Sequence, residues 1–107
     1  MPLSLVWKAV DVPATDYKVF IHLLSANERI LAQLDSEPLN GAFPTSKWRS
    51  GDVVEDRYLL AIPKEVASGD YRIAVGLYDP KSSTRLGTAG SGDGRLMLGP
   101  FSVTSMR

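Results

Sequence analysis

The stretch from Asp16 to Ser36, DYKVFIHLLSANERILAQLDS, constrains the fold of this chain more than any other. Two runs rich in β-branched, aliphatic and aromatic residues flank the short polar segment Ser25-Ala26-Asn27-Glu28, so the pattern predicts a β-hairpin. Alternation of period two then sorts the side chains. Tyr17, Val19, Ile21 and Leu23 share a face with Ile30, Ala32 and Leu34; this face is almost wholly apolar and is expected to point into a core. Lys18, Phe20, His22 and Leu24 share the other face with Arg29, Leu31, Gln33 and Asp35, a mixture of aromatic, charged and amide groups.

The rest of the chain extends this pattern. Leu3, Leu5 and Trp7 alternate with Ser4, Val6 and Lys8, which predicts a first strand with Trp7 facing the core. Residues 11–15, with Pro13 unable to donate to a ladder, read as a turn. Periodicity vanishes from Glu37 to Asp52, a long connection with Phe43 and Trp48 as apolar anchors. Trp48 either caps one end of the core or offers a stacking platform for a ligand. Val53 to Ile62 is again a strand. Val54, Asp56, Tyr58, Leu60 and Ile62 lie on one face, with Val53, Glu55, Arg57, Leu59 and Ala61 on the other. Lys64 to Ser68 is a short crossing segment. The strand ending at Tyr78 sets Tyr71, Ile73, Val75 and Leu77 against Arg72, Ala74, Gly76 and Tyr78. Asp79 to Arg95 is polar and Gly-rich, with a brief edge strand at Arg85-Leu86, and Leu96 to Val103 is the last strand, placed at an edge or bulge by Pro100.

Short strands with turn signals at intervals of about 8–12 residues predict an all-β chain, an antiparallel β-sandwich of about seven strands. The sequence Gly69-Asp70-Tyr71 at a strand entry resembles the tyrosine corner of immunoglobulin-like sandwiches, where the hydroxyl bonds upstream backbone. At 107 residues the whole of 1–107 is expected to be one domain. Lys plus Arg equals Asp plus Glu at 12 each, which removes the electrostatic footprint of a nucleic-acid binder. With no cysteine, disulfides, thiolate metal sites and cysteine nucleophiles are excluded. No apolar run approaches the roughly 20 residues of a membrane span. MPLSLVWKAV lacks the basic region of a signal peptide and reads as strand; a chain that opens inside a strand is expected to be one module of a larger protein.

Catalytic patterns are weak. His22 is the single histidine, so a two-histidine metal site is excluded. A triad of His22, Asp35 and a serine lacks the G-x-S-x-G elbow. Asp35, Glu37, Asp52, Glu55, Asp56 and Asp79 are scattered without a calcium-loop pattern and read as solvated turn and strand-end carboxylates. Residues 87–94 lack the ending of a phosphate loop and read as a flexible loop. No enzyme activity, metal or cofactor is expected. The outer face of the hairpin is the better candidate. If the Tyr71–Tyr78 strand lies beside the second hairpin strand, Ala74 and Gly76 come near Leu31 and Gln33 and leave a shallow trough. Phe20, His22, Gln33, Asp35, Arg72 and Tyr78 would border it, and Trp48 completes the candidate ligand-binding set. Such aromatic, amide and carboxylate groups suit a glycan; cover by the 37–52 loop or by a neighbouring domain is the competing reading.

The segments YKVFIHLL…AQLDSEP, FPTSKWRSGDVVEDRYLLAIP and SGDYRIAVGLYDP…TRL resemble small immunoglobulin-like β-sandwich modules of bacterial multi-domain envelope proteins. Modules of this family are often appended to polytopic membrane proteins similar to dolichyl-phosphate-mannose mannosyltransferases. The resemblance implies a non-catalytic accessory module outside the cytoplasm, in the cell envelope, whose partners are the flanking domains of a larger protein. It carries over no catalytic residue. Carbohydrate recognition is the alternative, and a glycan-active enzyme the rival from another class.

Overall fold

A computed structural model of the chain describes residues 2–9, 15–63, 69–86 and 95–103. Residues 11–14 of the turn expected at 11–15, the crossing segment 64–68 and the loop 87–94 lie outside the described residues. So does the upstream backbone that a tyrosine corner at Tyr71 would bond.

Six strands occur among the described residues, not about seven: β1 (Pro2–Lys8), β2 (Lys18–Leu24), β3 (Ile30–Ser36), β4 (Val53–Leu59), β5 (Gly69–Tyr78) and β6 (Leu96–Val103). They form two antiparallel sheets, β1-β4 and β3-β2-β5-β6. The expected edge strand at Arg85-Leu86 is a single bridge from Arg85 to Tyr78. The strand expected to reach Ile62 stops at Leu59, where its ladder ends opposite Pro2, although Leu60 is still buried.

The core follows from alternation. Val19, Ile21 and Leu23 of β2 and Tyr71, Ile73, Val75 and Leu77 of β5 are buried with Tyr58 of the other sheet and with Leu60 just beyond it, and Leu3, Leu5 and Trp7 pack against them. Burying side chains of this size stabilises by about 1.5–3 kcal/mol each, which is why a chain without cysteine can hold two sheets together.

The hairpin departs from strict alternation at one point. A bulge between Leu23 and Leu24 opposes Leu24 to Ile30 and Leu23 to Ala32, leaving Leu31 as the extra residue. Leu31, expected on the outer face, therefore packs on the core, while Ile30, expected inside, is exposed. The turn itself is as expected. The Glu28 N–H donates to the Ser25 carbonyl at 2.9 Å, and Glu28 carries a positive φ of 63° to close it.

The long connection 37–52 holds two 3-10 turns, Pro38–Gly41 and Thr45–Lys47. It is stitched to the entry of β2. The fully buried Thr45 hydroxyl donates to the Thr15 carbonyl at 2.7 Å and accepts from the Tyr17 N–H at 2.9 Å. Asp16 accepts from the Ser46 N–H, and this bonding to Ser46 holds its carboxyl below the usual range. Trp48 is buried with Ala9 and Val54, Phe43 packs beside it, and its indole N–H donates to the Phe43 carbonyl at 3.0 Å.

Candidate functional site

β5 lies beside β2, not beside the second hairpin strand β3. The trough expected next to Leu31 and Gln33 is therefore not formed there. Gly76 opposes Phe20 and Ala74 opposes His22, with Asp35 and Gln33 on the far side of β2. Phe20 lies directly across from Gly76 and is only 3% exposed, a cross-strand pairing of an aromatic with a glycine.

The structure gathers five of the seven candidate residues on this outer face: Phe20, His22, Gln33, Asp35 and Tyr78. The Phe20 ring lies 5.1 Å from the His22 ring and 6.3 Å from the Tyr78 ring, in tilted arrangements. The Arg85 guanidinium carbon stands 5.0 Å above the Phe20 centroid, within cation–π range. The Tyr78 hydroxyl donates to Asp35 at 2.8 Å, and burial followed by this carboxylate raises the phenol above its ordinary range. Burial lowers His22 from its ordinary value, the Asp35 carboxylate opposes that shift, and Arg85 and Arg95 add to it. Arg85, from the β5–β6 connection, thus covers part of Phe20. Arg72 sits at the other end of the face, opposite Leu24. Trp48 belongs to the separate cluster around Ala9 and Val54. Among the described residues, no group of three or more His, Asp or Glu side chains gathers as a metal site would require.

A second constellation lies between the sheets, beside β3 and β4. Asp56 was expected to be a solvated carboxylate. It is 6% exposed, because it shares the inward face of β4 with Val54 and Tyr58. Its oxygens accept from the Leu39 N–H and from the Arg57 N–H, each at 2.8 Å. Tyr58 is 8% exposed. Neither its hydroxyl nor the buried Trp7 indole nitrogen completes a hydrogen bond. Both Asp56 and Trp7 are nonetheless near enough to act on that hydroxyl. Burial first, then Asp56, pushes the Tyr58 phenol far above the ordinary tyrosine range, and Trp7 pulls slightly the other way.

Asp56 and Tyr58 open onto a cavity of about 470 Å³, also lined by Leu34, Ser36, Leu39, Asn40, Arg57 and Leu59. Its wall is a strained turn. Leu39 and Asn40 have φ of 51° and 57°, followed by Gly41 at 88°. Such a conformation in a residue as bulky as leucine costs about 1–2 kcal/mol and persists only where surroundings impose it. Here the Asp56 carboxylate grips the Leu39 N–H. The alternation of Val54, Asp56, Tyr58 and Leu60 carried the signal for this group: a carboxylate in phase with buried apolar residues is not a surface charge.

The chain is thus all-β, with two antiparallel sheets, an aromatic–arginine patch on one face and a cavity of mixed lining between β3 and β4. No protein-family model matches it, nor does any curated protein or solved structure. No helix among the described residues is long and apolar enough to cross a membrane.

Proposed function

We propose that this chain is an immunoglobulin-like accessory module of a bacterial envelope protein, non-catalytic, working outside the cytoplasm by contact with flanking domains. Its strand order supports the immunoglobulin-like part of this reading. If β1 is read as strand B and β4 as E, then β2, β5 and β6 become C, F and G, and β3 becomes C′ added at the edge, as in variable-type sandwiches. The observation that carries the contact role is the outer face of the β1-β4 sheet. There Val6 and Val53 are each 64% exposed and Leu59 74% exposed, interleaved with Lys8, Glu55 and Arg57. An uncovered sheet face mixing large apolar groups with charges of both signs suits a modest interface between domains of one chain.

The test is hydrogen exchange measured on this chain alone and on the complete product of its gene. The expected result is slower exchange of β1 and β4 in the complete product, lost on changing Val6, Val53 and Leu59 to serine. Equal exchange in the two proteins would refute the contact role.

A further inference from the structure

We infer that the open edge of β4 is a strand-pairing surface for a second copy of this chain, and that the Asp56 carboxylate keeps it closed. This edge is distinct from the sheet face proposed for domain contact. Parity locates it. The β1–β4 register continues past Lys8 and Val53 to Ala9 and Asp52, where the Ala9 N–H donates to the Asp52 carbonyl at 2.9 Å. Hydrogen-bonded pairs recur at every second residue of an antiparallel ladder. Val54, Asp56 and Tyr58 therefore turn their backbone groups toward β1, and Val53, Glu55, Arg57 and Leu59 turn theirs away from it. The Arg57 N–H agrees with this parity, since it donates to the Asp56 side chain at 2.8 Å. β4 has no second neighbouring strand among the described residues. A row of open donors and acceptors of this kind is a template for another strand.

The exposed side chains of β4 select the strand that fits. Val53, Glu55, Arg57 and Leu59 run apolar, acidic, basic, apolar. An antiparallel pairing of two copies about a two-fold axis at Asp56 sets Glu55 of each copy opposite Arg57 of the other, and Val53 opposite Leu59. Opposite charges and apolar pairs facing across strands are stabilising. Glu55 and Arg57 already stand 3.8 Å apart within one chain, so two copies assemble a cluster of four alternating charges. Shifting the register by two sets Glu55 against Glu55 or Arg57 against Arg57. The pairing is isologous, so it closes at two copies. Asp56 opposes it. On the axis, its inward-facing carboxylate would meet that of the other copy, and each is only 6% exposed. The same carboxylate occupies the Arg57 N–H, a donor that the second strand needs, and holds the turn at Leu39 beside the edge. An inward-pointing charge is one of the devices by which edge strands are kept from pairing.

Analytical ultracentrifugation of the wild type, Asp56→Asn and Asp56→Ser tests the lock, with circular dichroism reporting the fold. Asparagine keeps the size, removes the charge, and lets two amides bond each other across the axis. The expected result is a monomeric wild type and a dimeric Asp56→Asn, its association at least about tenfold tighter than any shown by the wild type. Added to Asp56→Asn, Glu55→Arg places arginine opposite Arg57 and is expected to abolish the dimer. Adding Arg57→Glu as well restores opposite charges and is expected to restore the dimer. Arg72→Glu, on the other sheet, is expected to leave it unchanged. A wild type that is already dimeric would overturn the inference, as would neutral variants that fold and stay monomeric. A dimer that survives Glu55→Arg, or is not recovered by the charge exchange, would show that another surface pairs and would overturn it too. Loss of the fold in both Asp56 variants would make Asp56 a requirement for folding and not a lock, with the same consequence.

Discussion

Replacing Thr45 by valine tests how the long connection is fastened. The side chain is fully buried, and one hydroxyl serves two backbone groups, the Thr15 carbonyl at 2.7 Å and the Tyr17 N–H at 2.9 Å. Valine preserves shape and volume but strands both groups. A backbone group left without its partner costs about 1–3 kcal/mol, and partial access of water to Thr15 and Tyr17 brings the expected total to about 2–4 kcal/mol. Serine keeps the hydroxyl and removes one methyl, for about 1 kcal/mol. The assay is urea unfolding followed by tryptophan fluorescence and by circular dichroism, whose coincidence checks two-state behaviour. With a slope of about 1–3 kcal/mol per molar urea, the valine variant should lose about 1–2 M in its midpoint, clearly more than serine. Equal midpoints for the two variants, or a loss below about 0.5 kcal/mol for valine, would show that water replaces both bonds and that the hydroxyl is not the fastening.

Two further outcomes follow from the structure. Burial lowers His22 in the folded state, so as pH falls the unfolded chain takes up the proton first. Stability from this residue is complete above its ordinary value of 6.5 and declines as pH drops from there toward the folded-state value. Urea midpoints measured across that window should fall with pH in the wild type and flatten in His22→Gln; Asp16, held below 3.8, acts in a separate and more acidic window. Gly51 has φ of 89°, and nothing lies within 4 Å of where a Cβ would stand, so Gly51→Ala should cost only backbone strain. That strain is about 1–2 kcal/mol, visible as a lowered thermal midpoint, with a smaller loss for Gly51→Asn.

Much of the fold is legible because alternation is a local property. The inward residues of β2, β4 and β5 follow from period two alone, and the turn at Ser25–Glu28 from its polar composition. Strand neighbours are not local. Nothing within β5 says whether Ala74 and Gly76 will face His22 and Phe20 or Gln33 and Leu31; that choice depends on which strand is central in the sheet. The bulge at Leu23–Leu24 is equally hidden, since one extra residue reverses Leu31 and Ile30 without altering composition. At the outer face, residue types identified which side chains would meet, but not that Arg85 would cover Phe20 from a distant loop. For the cavity the opposite holds. Asp56 lay in phase with Val54, Tyr58 and Leu60, yet residue type suggested solvent where position indicated burial.

The pairing of β1 with β4 has a consequence for the chain during synthesis. The hairpin of β2 and β3 can close as soon as its turn is made. β1 cannot close with its partner, because Val53, which pairs with Lys8, is added about 45 residues later. At about 5–20 residues per second, the Leu3, Leu5 and Trp7 face stays unpartnered for a few seconds after it leaves the ribosome. Its short length and the lysine at its end limit what it can pair with wrongly in that interval. β1 therefore settles after the β2–β3 hairpin that follows it, and the two-sheet core forms only once β4 has been made.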